Sequence, residues 1–134
     1  MTVVMRGRST SSTGTEITHG PSAMTLKTSA PRDNGGDGNA FSPTDLCAAA
    51  LGACATTIMG MFASKKGVSL EVEFEVRKDM ETNPRRLGRL EVVYQLKTDC
   101  DEETFRGIVH AGQTCPVRLS LSDGLTVSEV YTRC

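Results

Sequence analysis

The chain has 134 residues, which suits one domain and leaves little room for a second independent core. Its net charge is −1 with both signs interspersed, so it lacks the electrostatic footprint of a nucleic-acid binder or of a protein drawn to an acidic membrane surface. There is no Trp and only 4% of residues are aromatic, so the core must be built from Val, Leu, Ile, Met and Ala.

Residues 1–28 carry short β-rich stretches, Val3-Val4-Met5, Thr15–Thr18 and Ala23–Thr28. Gly14 and Gly20-Pro21 punctuate them, which predicts an N-terminal strand meander. Met1–Arg8 lacks the long apolar stretch and small-residue cleavage site of a signal peptide, so a cytoplasmic location is expected. Residues 29–41 hold Pro31, Asp33, Asn34, Gly35, Gly36, Asp37, Gly38 and Asn39 with no strand or helix pattern, which predicts a mobile loop.

A central helix is predicted over 42–66. Ser42 suits the N-cap, Pro43 the first helical position, and Asp45 the first turn, where a carboxylate meets the positive end of the helix dipole. Apolar residues at 46, 47, 50, 51, 54, 55, 58, 59 and 62 follow the helical period, and Lys65-Lys66-Gly67 supplies the stop. Positions off that stripe are also Ala, Gly or Met, so the helix should be buried nearly all round, with a partner subunit completing the burial. The run is long enough for a bilayer span, but its Ala/Gly content with Thr56 and Thr57 inside argues against membrane insertion.

A strand pair is predicted over 68–98. Val68, Leu70, Val72, Phe74 and Val76 alternate with polar residues, as do Leu90, Val92, Tyr94 and Leu96, with a turn at Asn83-Pro84-Arg85-Arg86. Residues 99–134 read as a second helix over 101–110 capped by Thr98 or Asp99, a helical turn after Cys115-Pro116, a Ser122-Asp123-Gly124 turn, and a last strand from Leu125 to Thr132.

Five cysteines, an odd number at positions 47, 54, 100, 115 and 134, resemble no secreted disulfide framework. In a reducing cytoplasm a working disulfide would be transient. Cys54 taken alone reads as helix packing; a second thiol meeting it in the fold would change that reading to two-cysteine redox chemistry. Such chemistry needs a thiolate, a cation to stabilise it, and a second sulfur within disulfide reach. Cys54 lies too deep in its helix to feel the dipole, and Arg8, Arg32 and Arg118 are the candidate cations by position. Cys47 lies two turns earlier, about 10 Å along the axis, which excludes an intrahelical bridge and makes it a packing residue. Cys100 and Cys134 have no motif support, and His19 and His110 show no metal-site spacing with any cysteine, so no metal is expected.

Ser42-Pro43-Thr44-Asp45-Leu46, the Ala/Gly-rich run to Cys54, the strand pair that follows, and Cys115-Pro116-Val117 before a last strand resemble the OsmC/Ohr superfamily of thiol-dependent hydroperoxide reductases over nearly the whole chain. The resemblance implies an α+β fold in which antiparallel sheets wrap around central helices in an intertwined homodimer, with active sites at the interface. It implies Cys54 as the peroxidatic thiol, Cys115 as the resolving thiol, a dithiol or thiol reductant, and no cofactor. The hydroperoxide-reducing branches carry a Glu ten positions before the reactive Cys, where this chain has Thr44. Asp45 beside it points roughly opposite to Cys54 on an ideal helix at about 100° per residue, so capping suits it better than replacing that Glu. The pattern looks like the OsmC-like branch.

The expected function is therefore reduction of hydroperoxides, organic ones above hydrogen peroxide because Leu51, Met59, Met61 and Phe62 offer an apolar lining near the thiol. The alternatives are a redox-sensing or small-ligand-binding module without efficient turnover, and a dimeric scaffold with inert thiols.

Overall fold

A computed structural model describes residues 1–121 and 123–134, which form two compact units, Met1–Leu46 and Cys47–Cys134. Ser122, part of the turn expected before the last strand, lies outside the described residues.

In the first unit, β1 (Met5–Ser9), β2 (Gly14–His19) and β3 (Thr25–Ser29) form an antiparallel meander in that order. Its register sets Gly7 against Ile17 and Ile17 against Leu26. The first strand begins at Met5 and not at Val3: Met5 pairs with His19, the last residue of β2, and the Thr10 amide closes the turn on the Gly14 carbonyl at 3.0 Å. The segment expected as a structureless loop holds a 3-10 turn at Arg32–Asn34. It is tied by Asp37, whose carboxylate accepts from the Ser29 hydroxyl and, at 3.0 Å, from the Asn39 amide. These bonds, the Ser29 hydroxyl first, hold the Asp37 pKa below its ordinary value.

The central helix α1 spans Pro43–Lys65. Its start is a reciprocal capping box: the Asp45 amide donates to Ser42 Oγ at 3.1 Å, and the Ser42 amide donates to Asp45 Oδ2 at 2.8 Å. Its end is a Schellman motif, with Gly67 at φ +69° and bonds from the Val68 amide to the Ala63 carbonyl and from the Gly67 amide to the Ser64 carbonyl, both 3.1 Å. A left-handed residue is needed there, and glycine takes that conformation without a steric cost.

In the second unit, β4 (Glu71–Glu81) and β5 (Arg86–Lys97) form an antiparallel hairpin, and β6 (Thr126–Arg133) pairs with β5 in parallel. The expectation of purely antiparallel sheets is corrected here: the second sheet is mixed. Parallel strands need a crossover, and α2 (Glu102–Gln113) and α3 (Pro116–Ser120) supply it between β5 and β6. The α2 cap also differs from expectation. Asp101 accepts from the Thr104 amide at 2.8 Å, while the Thr98 hydroxyl donates instead to the Ser69 carbonyl at 2.7 Å. The helix runs on past His110 to Gln113.

One face of α1 (Ala48, Leu51, Ala55, Met59 and Ala63) is buried with Leu90, Val92, Tyr94 and Leu96 of β5 and Ile108 of α2. Close approach requires Gly52, because a Cβ there would stand 2.4 Å from the Phe74 ring. The opposite face of α1 is open, with Cys47, Ala50, Ala53, Thr57 and Met61 exposed along a helical stripe. The expected packing of Cys47 is therefore absent within the chain, and near-complete burial of the helix is not reached. Leu51 and Met59 are fully sealed, so they pack the core and do not line a surface near the thiol. By length and composition α1 is able to cross a bilayer, but a row of its side chains is core.

Truncating Leu51 removes a side chain with no solvent exposure. Leu51→Ala is expected to lower the unfolding free energy by about 2–5 kcal/mol in urea titrations.

Candidate active site

Cys54 projects from the third turn of α1, and Cys115 caps the N-terminus of α3, with Pro116 following at the first helical position. The fold brings the two thiols together: Cys54 packs against the core cluster that contains Cys115, lies near enough to raise the Cys115 pKa, and both are free. Cys115 is completely buried and Cys54 is partly exposed, so a small reagent has a route to Cys54 first. The Arg118 amide donates to Cys115 Sγ at 3.4 Å.

Burial pushes the Cys115 thiol above its ordinary pKa of 9.0; the Arg118 amide pulls the other way, and Cys54 and then the charge of Glu129 add to the rise. The proton on Cys115 is thus held by its surroundings.

Around this pair the second unit assembles a polar cluster. Glu129 of β6 sits on the same strand face as Tyr131, its side chain only 9% exposed. Its Oε2 accepts from the Tyr94 hydroxyl at 3.0 Å and the Tyr131 hydroxyl at 3.1 Å, and its Oε1 pairs with Arg118 Nε at 3.3 Å. The two tyrosine rings stack at 4.7 Å between centroids, tilted by 11°. Both phenols are driven far above their ordinary pKa, by burial first and then by the charge of Glu129, so they remain hydrogen-bond donors at any working pH.

Of the candidate cations, Arg118 shares the second unit with both thiols. Arg8 lies on β1, where it pairs with Glu16 at 2.9 Å across the strand pair and is 69% exposed. Arg32 lies in the 3-10 turn, its Nε donating to the Asp37 carbonyl at 3.1 Å. Asp45 is engaged in the capping box. Cys100 is buried and Cys134 exposed, and His19 bonds to Ser22 Oγ at 2.6 Å. Among the described residues no group of three or more His, Cys, Asp or Glu side chains is placed to hold a metal ion.

Sequence reading missed Glu129. The available signal was parity: in Val127-Ser128-Glu129-Val130-Tyr131, a carboxylate falls on the face that carries Val127 and Tyr131. A charged residue at an inward strand position marks a site or an ion pair.

The family model described as OsmC-like protein matches residues 36–130. Among solved structures, a protein of Psychrobacter arcticus 273-4, provisionally described as an osmotic stress induced and detoxification response protein, is 30% identical with a TM-score of 0.89, over 98% of this chain and 96% of that one. The organic hydroperoxide resistance protein OsmC of Legionella pneumophila (20% identity, TM-score 0.70, 98% and 97% coverage) shares the fold. So does the organic hydroperoxide resistance protein OhrB of Bacillus subtilis (19%, 0.63, 98% and 98%). Among curated proteins no match is found. A family match over most of the chain, together with a structure alike over almost its full length, makes this an OsmC-like protein of α+β fold.

Proposed function

We propose that the protein reduces hydroperoxides, organic ones in particular, through a cycle on Cys54 and Cys115. The observation that carries this reading is the contact between the two thiols, one partly open and one sealed. The fold shared with proteins named for organic hydroperoxide resistance supports it.

In the cycle, the Cys54 thiolate attacks the distal peroxide oxygen. An S–O bond forms, the O–O bond breaks, and the departing alkoxide takes up a proton as the alcohol. The Cys115 thiol then attacks the sulfur of the sulfenic acid; an S–S bond forms, and the hydroxyl leaves as water with the Cys115 proton. A dithiol reductant returns both cysteines to thiols and leaves as its own disulfide. We assign Arg118 as the cation for the Cys54 thiolate, because its backbone amide reaches Cys115 Sγ and it shares the unit of both thiols. Retaining the proton on Cys115 suits a thiol that must wait until Cys54 is oxidised. No cofactor is required, because the weak O–O bond yields to a poised nucleophile.

The bare stripe of Cys47, Ala50, Ala53, Thr57 and Met61 supports a second copy of the chain as the partner that covers α1. A small hydroperoxide and a thiol reductant complete the partners, and we place the protein in the cytoplasm. Thr44, standing where the peroxide-reducing branches have Glu, favours a second reading, in which the pair is oxidised as a sensor and does not turn over.

Thiol titration before and after cumene hydroperoxide tests the reading in wild type, Cys54→Ser and Cys115→Ser. Wild type is expected to lose the pair, Cys54→Ser to keep Cys115, and Cys115→Ser to give a dimedone adduct at Cys54. Sustained peroxide consumption with dihydrolipoamide separates the enzyme from the sensor; an unreactive Cys54 overturns both.

A further outcome concerns Cys115 alone. Its raised pKa means that the folded state keeps a proton which the unfolded chain releases above 9.0. The contribution to stability is fully present below that pH and is lost as pH rises through the folded value. In the reduced native protein, iodoacetamide is expected to label exposed Cys134 well before Cys115, and Cys115→Ser should flatten part of the alkaline loss in chemical denaturation.

A further inference from the structure

Glu129 is a carboxylate in a place where packing alone would favour an apolar side chain. In the sheet register it lies opposite Val92, two residues along from the Tyr94–Tyr131 pair and on the same face, and its side chain is 9% exposed. Desolvating a carboxylate costs several kcal/mol, recovered only when donors with good geometry surround it. Here three donors do so, the hydroxyls of Tyr94 and Tyr131 on Oε2 and the Nε of Arg118 on Oε1.

The donors differ in how firmly they are held. Tyr94 has no solvent exposure and stacks on Tyr131, so the hydroxyls have fixed positions and fix the carboxylate in turn. Arg118 is the loose member, its side chain 37% exposed on a short helix. A long side chain with that freedom samples many rotamers unless an acceptor holds it. The same residue's backbone amide bonds to Cys115 Sγ, and Glu129, the guanidinium's partner, lies close enough to Cys115 for its charge to act on that thiol.

We infer that Tyr94, Glu129 and Tyr131 form a clamp that holds the Arg118 guanidinium at the Cys54–Cys115 pair, with Glu129 as the positioning residue. This rests on the reading of the pair as a reactive dithiol. It adds that the cation's holder comes from the last strand, in a chain that has Thr44 where the family's Glu would stand.

Alkylation of Cys54 by iodoacetamide, followed by peptide mass spectrometry in a Cys115→Ser background, tests the clamp without any peroxide. Glu129→Gln is expected to slow Cys54 modification at neutral pH about tenfold, the scale of one charge-assisted contact, and to move its pH profile to the alkaline side. Glu129→Asp should restore most of the rate. Arg118→Ala should slow it equally, and adding Glu129→Gln to Arg118→Ala should change nothing more, because the carboxylate acts only through the arginine.

A Glu129→Gln effect of the same size with and without Arg118, or no effect, overturns the clamp. If Glu129→Gln does not fold by circular dichroism, Tyr131→Phe decides: a smaller slowing that disappears in the Arg118→Ala background supports the clamp, and an unchanged rate or a slowing that persists there overturns it. The peroxide reading is judged separately. The expected alkylation pattern in a protein whose wild-type thiols ignore cumene hydroperoxide keeps the clamp and removes the peroxidase.

Discussion

The seat of α1 on the inner face of β5 governs the rest of the second unit. Leu51, Ala55 and Met59 on the helix, and Leu90, Val92, Tyr94 and Leu96 on the strand, are all without solvent exposure, and the absence of a side chain at Gly52 admits the Phe74 ring. A dense core tolerates little displacement. Cys54 is carried on that helix and Cys115 stands between the two crossover helices, so the packing places both thiols. Neither thiol sits on a long loop, and the short α3 is pinned by its own proline start and sulfur cap. Sites borne on regular elements hold geometry better than sites borne on loops.

The same core carries an expense that stability alone would not select. A carboxylate, two phenols and a guanidinium occupy the strand face where Val, Leu or Phe would pack more cheaply. Full satisfaction of the carboxylate is what makes this tolerable, since a half-satisfied buried network is worse than an apolar one. Cys115 is buried near the negative charge of Glu129 and holds its proton, and Cys54 is the sulfur with access to solvent.

Much of this was legible in the amino-acid order, and for local reasons. Ser42, Pro43 and Asp45 mark the start of α1 and Gly67 its end, because caps are made by neighbours in sequence. Alternation in Leu90-Val92-Tyr94-Leu96 marks the buried face of β5. What escaped is non-local. Nothing in Thr126–Arg133 says that the strand runs parallel to β5, since direction is decided by where the crossover helices deliver it. Asp101, directly before α2, makes its cap, while Thr98 is engaged by the carbonyl of Ser69, twenty-nine residues earlier in the chain. Glu129 looks like an ordinary strand-surface acid until Tyr94, thirty-five residues away, is seen to donate to it.

The bare stripe on α1 has a consequence for how the protein must be handled. An apolar ridge of Cys47, Ala50, Ala53, Thr57 and Met61 is hydrated whenever the chain is alone, and any neighbour that dries it binds only the folded form. If the second copy proposed above is that neighbour, folding and association are linked by mass action, and the melting temperature rises with protein concentration and falls on dilution. A thermal midpoint measured at one concentration would then describe the proposed assembly at that concentration, and not the chain.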